Sequence, residues 1–293
     1  MKDVLARLRK YEIRIRKAVN SQMRGNYHSV FKGSGLEFDD VRTYQYGDDV
    51  RAIDWNVSAK GHGTFVKIFR EEKEQTVFCL VDVSASQEIG RRSSTKMDLA
   101  RDICGVLTLS AVKEDSQVGL ICFTDQKEKY MKPAKGLKHG YEVILNLFQL
   151  VPRSTRTSLS KAVAFTLNIL KRRSVVIFVS DFIDDGYEVD LRALARRHDL
   201  VVIHLLDRQE TDPPKLGIIP VYDKESGRTV WVNTSSAEFR QAWQHDFLGK
   251  KGQLEKLCRQ NGANYLAVRT DEDFVPPLVR LFKVRNLSNG SLK

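Results

Sequence analysis

The chain has 293 residues, of which 42% are hydrophobic and 29% charged, with a formal net charge of +11. This is ordinary for a soluble globular protein and long enough for one large core plus an extension. It excludes low-complexity and disulfide-scaffold classes, and no apolar run reaches the length that crosses a bilayer. Cys79, Cys104, Cys122 and Cys258 stand far apart without a CxxC pair, so they read as reduced, packed thiols. The six histidines show no paired ligand spacing. The opening Met1-Lys2-Asp3-Val4 stays charged, without a signal-peptide core, which makes a cytoplasmic location the expectation.

Val4, Leu8, Tyr11, Ile15 and Ala18 recur at spacings of four and three and predict an amphipathic helix over residues 2–22. Arg7, Lys10, Arg14 and Lys17 lie on another face, and residues 1–24 hold eight Lys or Arg against two acids. Such a helix can dock a partner or an anionic membrane surface. The expectation is that it lies on its own domain with a solvated basic face. No aromatic-rich RNA-binding signature accompanies the charge, so no specific nucleic-acid partner is expected.

Residues 33 to 75 change character. Gly33-Ser34-Gly35-Leu36-Glu37-Phe38-Asp39-Asp40 leads through Arg42-Thr43-Tyr44 to Gly47-Asp48-Asp49-Val50-Arg51-Ala52-Ile53-Asp54-Trp55. Thr64 to Arg70 reads as a strand, and glycines and Asp pairs mark turns between short β segments. Asp48, Asp49 and Asp54 alternate with Arg42 and Arg51, which suggests an ion-paired, hydrogen-bonded network; the spacing does not fit an EF-hand. A boundary after residue 75 divides the chain into 1–75, helix plus β-rich segment, and 76–293.

From Thr76 strands and helices alternate. Thr76–Val83 is an apolar run of strand length. Lys96–Lys113 is helical, with Met97, Ala100, Ile103, Cys104 and Leu107 on one face. Val118–Phe123 and Lys127–Met131 are strands joined at Asp125-Gln126, and Tyr141–Leu150 and Leu159–Leu170 are helical. Strand Ser174–Ser180, helix Leu191–Arg197 and strand Leu200–Leu206 follow. Asp212-Pro213-Pro214 breaks the pattern before a β-hairpin over 218–233 that turns at Glu225-Ser226-Gly227. Ala237–Gln260 is helical, with weak points at Gly249 and Gly252; Tyr265–Val268 is the last strand and Pro276–Lys283 the last helix. The alternation predicts an α/β domain whose mainly parallel sheet is covered on both faces.

Asp82-Val83-Ser84-Ala85-Ser86 stands where the first of these strands ends. Open α/β sheets place ligand sites at the carboxyl ends of their strands. An Asp and two hydroxyls spaced by one residue can converge three hard oxygens on Mg²⁺ or a similar cation. The strand Ser174–Ser180 also ends in a carboxylate, Asp181, and Arg153-Ser154-Thr155-Arg156-Thr157-Ser158 is a hydroxyl-rich loop between the two. The alternative is that Asp82 and Ser84 merely cap a turn and Asp181 is an ordinary strand-end acid.

Asp82, Ser84, Ser86, Thr157 and Asp181, from three segments, resemble the metal-ion-dependent adhesion site of von Willebrand factor A domains. The likeness spans roughly residues 76 to 283 and implies a von Willebrand factor A-like, Rossmann-type domain with a mainly parallel central sheet. It implies that Asp82, Ser84, Ser86 and Thr157 approach a divalent cation directly or through water, while Asp181 holds a coordinated water. Mg²⁺ is the first choice, with Mn²⁺ or Ca²⁺ as alternatives. Strands 76–83 and 174–180 must then be neighbours. A second resemblance rests on Gly35, Glu37, Phe38, Arg42, Tyr44, Gly47, Asp48, Asp49, Arg51, Ile53, Asp54, Trp55, Ser58 and Ala59, then Glu71 and Glu72. Thr270-Asp271-Glu272-Asp273-Phe274-Val275-Pro276-Pro277-Leu278, Phe282 and Arg285 extend it. These match the bacterial family catalogued as domain of unknown function fifty-eight, typically encoded beside MoxR-type AAA+ ATPases. Many members carry transmembrane helices ahead of the signature; here the basic helix stands in that place.

The resemblance implies a metal-dependent protein-binding module, a partner or adaptor of a MoxR-type ATPase that brings it a client protein. The alternatives are a Mg²⁺-dependent phosphohydrolase or a nucleic-acid binder acting through the basic helix. Haloacid-dehalogenase-like phosphatases need a second Asp where Ser84 stands, though Asp181, Asp184 and Asp185 resemble their acidic motif. No other nucleophile–base constellation stands out, so no enzymatic activity is expected, and without a Walker-type glycine loop ATPase activity would belong to a partner.

Overall fold

The computed structural model describes residues 3–10, 13, 37–61, 63–70, 75–91, 94–223 and 228–281. The chain divides into two units, residues 31–75 and a larger unit of residues 1–30 with 76–293. The N-terminal helix therefore belongs with the α/β unit, not with the β-rich segment that follows it in sequence.

In the smaller unit, β1 (Glu37–Thr43) pairs antiparallel with β2 (Phe65–Arg70), Thr43 opposite Phe65. The signature acids build the connection. Arg42 grips Asp48 through two hydrogen bonds of 2.6 and 2.7 Å, and the Gln45 N–H donates to the same carboxylate. Together they hold Asp48 down at a pKa of about 2. Asp49 accepts from the Arg51 N–H, and Asp54 from those of Asn56 and Val57, which starts a one-turn helix, Trp55–Ser58. The expected network exists, made of one ion pair and two turn caps.

The larger unit is built around β3 (Thr76–Asp82), whose residues after Thr76 are all buried. A small ribbon, β4 (Gly90–Arg91) with β5 (Ser94–Thr95), leads into α1 (Lys96–Lys113). Thr95 and Asp98 form a capping box that starts this helix. Next come β6 (Gln117–Phe123), β7 (Lys127–Ala134), α2 (Leu137–Gln149), α3 (Leu159–Ile169), β8 (Val175–Ser180), α4 (Glu188–Arg197) and β9 (Asp199–Leu206). A hairpin of β10 (Ile218–Asp223) and β11 (Arg228–Asn233) precedes α5 (Ala237–Gln260), β12 (Asn264–Arg269) and a last helix, α6, over 275–281. Asp273 caps α6 through the Val275 N–H.

Six strands form the main sheet in the order β12-β9-β8-β3-β6-β7, parallel except for the edge strand β7. Counted along the chain this is the 3-2-1-4-5-6 order of doubly wound sheets. The strand order reverses between β3 and β8, the expected neighbours, and the crevice at such a reversal opens outside the strands' carboxyl ends. Central parallel strands are buried on both faces and so read as unbroken apolar runs. On one face Phe78, Leu80, Ile121 and Phe178 pack with Leu159 and Val163 of α3, Leu191 and Leu194 of α4, and Leu254 and Leu257 of α5. Gly119 is required there, because a Cβ at that position would lie 2.3 Å from the Phe78 ring. On the other face α1 packs with α2, and Cys79 of β3 meets Cys104 of α1. All four cysteines are buried and free.

The N-terminal helix, described over residues 3–10 and at 13, lies on α1 and α2 as expected. Leu8 is fully buried on Gly105, where a Cβ would come within 2.7 Å of its Cδ1. Arg7 pairs with Asp102 at 2.7 Å, and the Arg9 guanidinium stands 5.6 Å over the Tyr141 ring. Residues 2, 11–12 and 14–22 of the expected helix, the turn at Glu225–Gly227, and Phe282 onward lie outside the described residues.

Several boundaries move. Gly136, at φ 92°, releases α2 from Leu137 rather than Tyr141. Helix α4 starts at Glu188 rather than Leu191, with Glu188 and Asp190 in its first turn, where acids suit the helix dipole. Strand β7 runs on through Pro133, tolerated on an edge. Helix α5 continues unbroken through Gly249 and Gly252. Only its second half meets the sheet; most side chains between Ala237 and Lys250 are exposed. Among the described residues, no helix is long and apolar enough to cross a membrane.

Candidate functional site

The carboxyl ends of β3 and β8 bring two acids to the reversal point. Asp82 is 1% exposed. Its Oδ1 accepts from the Ser84 N–H at 3.0 Å, which closes the turn into a 3-10 segment, Ala85–Glu88. The Ser180 hydroxyl donates to Oδ2 at 2.7 Å, and the Gln87 amide at 3.3 Å. None of these donors is a cation. Burial first, and the Asp181 charge second, push the Asp82 carboxyl up to about 7.

Beside Asp82 the hydroxyl oxygens of Ser84 and Ser86 lie 3.0 Å apart. Two oxygens in adjacent positions of an octahedral Mg²⁺ shell, each about 2.1 Å from the ion, would be about 3.0 Å apart. Gln87 Oε1 is buried without a hydrogen-bond partner. The donor set is thus all hard oxygen, next to a buried carboxylate that lacks a counter-charge, and it fits a small divalent cation. Among the described residues no three His, Cys, Asp or Glu converge as a metal cage, since these donors are mostly hydroxyls.

The loop that carries Thr157 is pinned against this turn. The Ala85 N–H donates to the Thr155 carbonyl at 3.0 Å, and the Ser158 N–H to the Thr124 carbonyl at 3.3 Å. Glu128 accepts from the Arg153 and Ser154 N–H groups. Thr157 itself is partly buried.

Asp181 repeats the turn at the end of β8, its Oδ1 accepting from the Ile183 N–H at 3.3 Å. The intervening Phe182 has φ 54°, a left-handed conformation uncommon for a bulky side chain. Its ring is held by Phe178, Tyr187 and His204. The other oxygen, Oδ2, lies 2.5 Å from the Lys96 ammonium, which is also 2.5 Å from Glu210 Oε1. Lys96 has no exposed side-chain surface. Burial pulls its pKa down, but Asp181 and Glu210 more than offset this and hold it above its usual value. Glu210 belongs to a one-turn helix, Arg208–Thr211, that follows β9 and is capped by Asp207. The Trp243 indole N–H donates to the Glu210 carbonyl, which ties α5 to the same cluster.

The sequence-derived set therefore splits. Asp82, Ser84 and Ser86 share one hydrogen-bonded turn, Thr157 sits on the adjoining loop, and Asp181 faces a lysine. Asp184, from the phosphatase-like acidic run, caps α3 through the Leu159 N–H at 2.7 Å. Sequence reasoning missed Lys96, Glu210, Gln87 and Ser180. One signal existed for Lys96: a cation at the first position of a helix opposes the helix dipole and needs another reason to be there.

Ser86 and Asp181 also line a cavity of about 820 Å³ between the strand ends, the hairpin and α5. Its wall is mixed: Phe182, Tyr187, Tyr222, Trp243 and Phe247 share it with charged groups that include Glu88, Asp246, Lys250 and Lys251. His204 lines it too; burial lowers its pKa to about 4, so the ring is neutral at pH 7. The hairpin beside the cavity exposes Ile218, Val221, Tyr222, Val230 and Trp231.

An uncharacterized protein of Mycobacterium tuberculosis is 26% identical over 283 residues, 96% of this chain and 89% of that protein. Another from Mycobacterium avium is 27% identical over 157 residues, 52% of this chain and 92% of that one. Among solved structures, an aerotolerance-related membrane protein from Bacteroides fragilis gives a TM-score of 0.50 at 12% identity, covering 73% of this chain and 99% of that one. The VWA domain of SpRpn10 gives 0.41 at 12% identity, covering 71% and 94%. The likeness to the Bacteroides fragilis structure concerns the fold alone, an α/β domain with a mainly parallel central sheet. The model of the family described as protein of unknown function DUF58 matches residues 40–252, and the chain belongs to that family.

Proposed function

We propose that this protein is a protein-interaction module whose contact surface is the carboxyl edge of the main sheet and whose binding depends on a divalent cation. The observation that carries the reading is the Ser84–Ser86 oxygen pair, 3.0 Å apart, beside a buried Asp82 without a cationic partner. Asp82, Ser84 and Ser86 would hold the ion, Mg²⁺ or Mn²⁺, with Thr157 and Asp181 in support. Held by neutral hydroxyls and few carboxylates, such an ion keeps residual positive charge for an acidic residue of the partner. The aromatic side chains of the cavity that begins at Ser86 and Asp181 suit apolar residues flanking that acid. The family resemblance supplies the partner class, a MoxR-type AAA+ ATPase and a client brought to it. Asp184, from the phosphatase-like acidic run, is engaged as a helix cap, which favours the binding reading, and no phosphomonoester hydrolysis is expected.

The test is calorimetric titration with Mn²⁺ together with copurification of the ATPase in the presence and absence of metal. Wild type should bind Mn²⁺ weakly and Asp82→Ala not at all. Partner capture should fall to the same level with chelator, with Ser84→Ala and with both, since all remove one interaction. Capture that ignores chelator and mutation but disappears when residues 1–24 are removed would move the contact to the basic helix.

A further inference from the structure

Lys96 is the one cation buried at the strand ends among the described residues, and it is placed by three elements at once. It opens α1, reaches Asp181 after β8 and reaches Glu210 after β9, each at 2.5 Å. A surface lysine would forfeit nothing by turning outward. This one is fully desolvated, and a buried ion pair is a poor way to gain stability compared with apolar packing. Its position calls for another reason, and the neighbouring ion site supplies one.

We propose that Lys96 is a built-in cation that sets the affinity and residual charge of that ion site. By neutralising Asp181 it leaves Asp82 as the carboxylate at the β3–β8 reversal that has no cationic hydrogen-bond partner among the described residues. A divalent ion bound at Asp82, Ser84 and Ser86 is then short of negative charge. Binding of the free ion stays weak, and the carboxylate of a partner becomes the missing ligand. Glu210 keeps the ammonium in place and shares its charge, so Lys96 does not bear wholly on Asp181. The inference rests on the proposed ion site and adds what tunes it.

The experiment is Mn²⁺ titration of the full chain by calorimetry, with circular dichroism as the check of folding. The double variant K96M/E210Q removes a lysine and a carboxylate together, so the net charge of the cluster is unchanged while Asp181 is released. It should bind Mn²⁺ at least tenfold more tightly than wild type, with Asp82→Ala abolishing binding in either background. E210Q alone should weaken Mn²⁺ binding several-fold, because the ammonium then bears on Asp181 alone. A folded double variant with unchanged or weaker affinity would overturn the role of Lys96 and leave the ion site standing. Should the double variant not fold, E210Q decides, and unchanged or tighter binding would refute the inference. If no chain shows Mn²⁺ binding sensitive to Asp82→Ala, both the site and its tuning fail.

Discussion

The ends of β3 and β8 use the same backbone device and finish in opposite electrostatic states. At each, the strand-end Asp turns one oxygen back to the N–H two residues on, Ser84 in one case and Ile183 in the other. The second oxygen makes the difference. Asp181 meets an ammonium, whereas Asp82 meets a hydroxyl and an amide. One acid is compensated within the fold; the other is held in a buried place where its charge is costly. The capacity to bind a cation belongs to the second, and shape alone would not separate them.

The comparison can be broken from the β8 side first, where the largest effect is expected. Lys96→Met strands Asp181 and Glu210 without their cation and should cost about 3–5 kcal/mol in urea unfolding. A loss below about 1 kcal/mol would mean that the cluster is not charged as described.

On the β3 side the sign reverses. The folded-state pKa of Asp82, about 7, lies above its ordinary 3.8, so the folded chain holds a proton that the unfolded chain releases. The stability this provides is complete below about pH 4 and is lost as pH rises through 7. Asp82→Asn keeps the neutral form at every pH. In metal-free protein it should gain roughly 2–4 kcal/mol at pH 8 and almost nothing at pH 4. His204 works in the other direction. Its pKa is depressed from 6.5 to about 4, so it destabilises the fold as pH falls through that window. The variant should therefore show stability rising with pH from 4 to 6.5, the trend that Asp82 masks in wild type. Parallel pH profiles for the two proteins would contradict the assignment.

A smaller effect sharpens the same contrast. Ser180→Ala deletes the shortest hydrogen bond to Asp82 and should cost about 1–2 kcal/mol at pH 8, where the acceptor is charged. In the Asp82→Asn background the cost should shrink, and a double-mutant cycle in chemical denaturation measures the difference.

What could be read from the residues follows the range of the interactions. The Asp82-Val83-Ser84-Ala85-Ser86 turn was legible because its bonds span two residues and its strand is a continuous apolar run. The pairing of β3 with β8 followed from two acids at two strand ends, since a shared ligand required neighbours. Lys96 offered one local signal, its place against the helix dipole, but its pairing was not legible. Its partners are 85 and 114 residues away, and a lysine before an apolar helix reads as a solvated flank. The early starts of α2 and α4 were hidden for a local reason, because Gly136 and the polar Glu188 and Asp190 leave no apolar period. The reach of the hairpin and α5 beyond the sheet edge also escaped, because exposed Val221, Tyr222 and Trp243 look like core residues until the fold places them.

The cysteines beneath the sheet give the molecule a clock. Cys79, Cys104 and Cys122 lie on β3, α1 and β6, and Cys258 on the packed half of α5. Burial raises the Cys122 thiol far above its ordinary range and Cys258 to about 12, and the contact with Cys79 raises Cys104 further. In the closed protein all four are buried out of reach of an alkylating reagent. Each reacts only when its part of the structure opens. The rates at which the four thiols are trapped in native buffer therefore time two separate events, the parting of α1 from the central strands and the lifting of α5 from the sheet. A cation that engages the strand ends should slow the first more than the second.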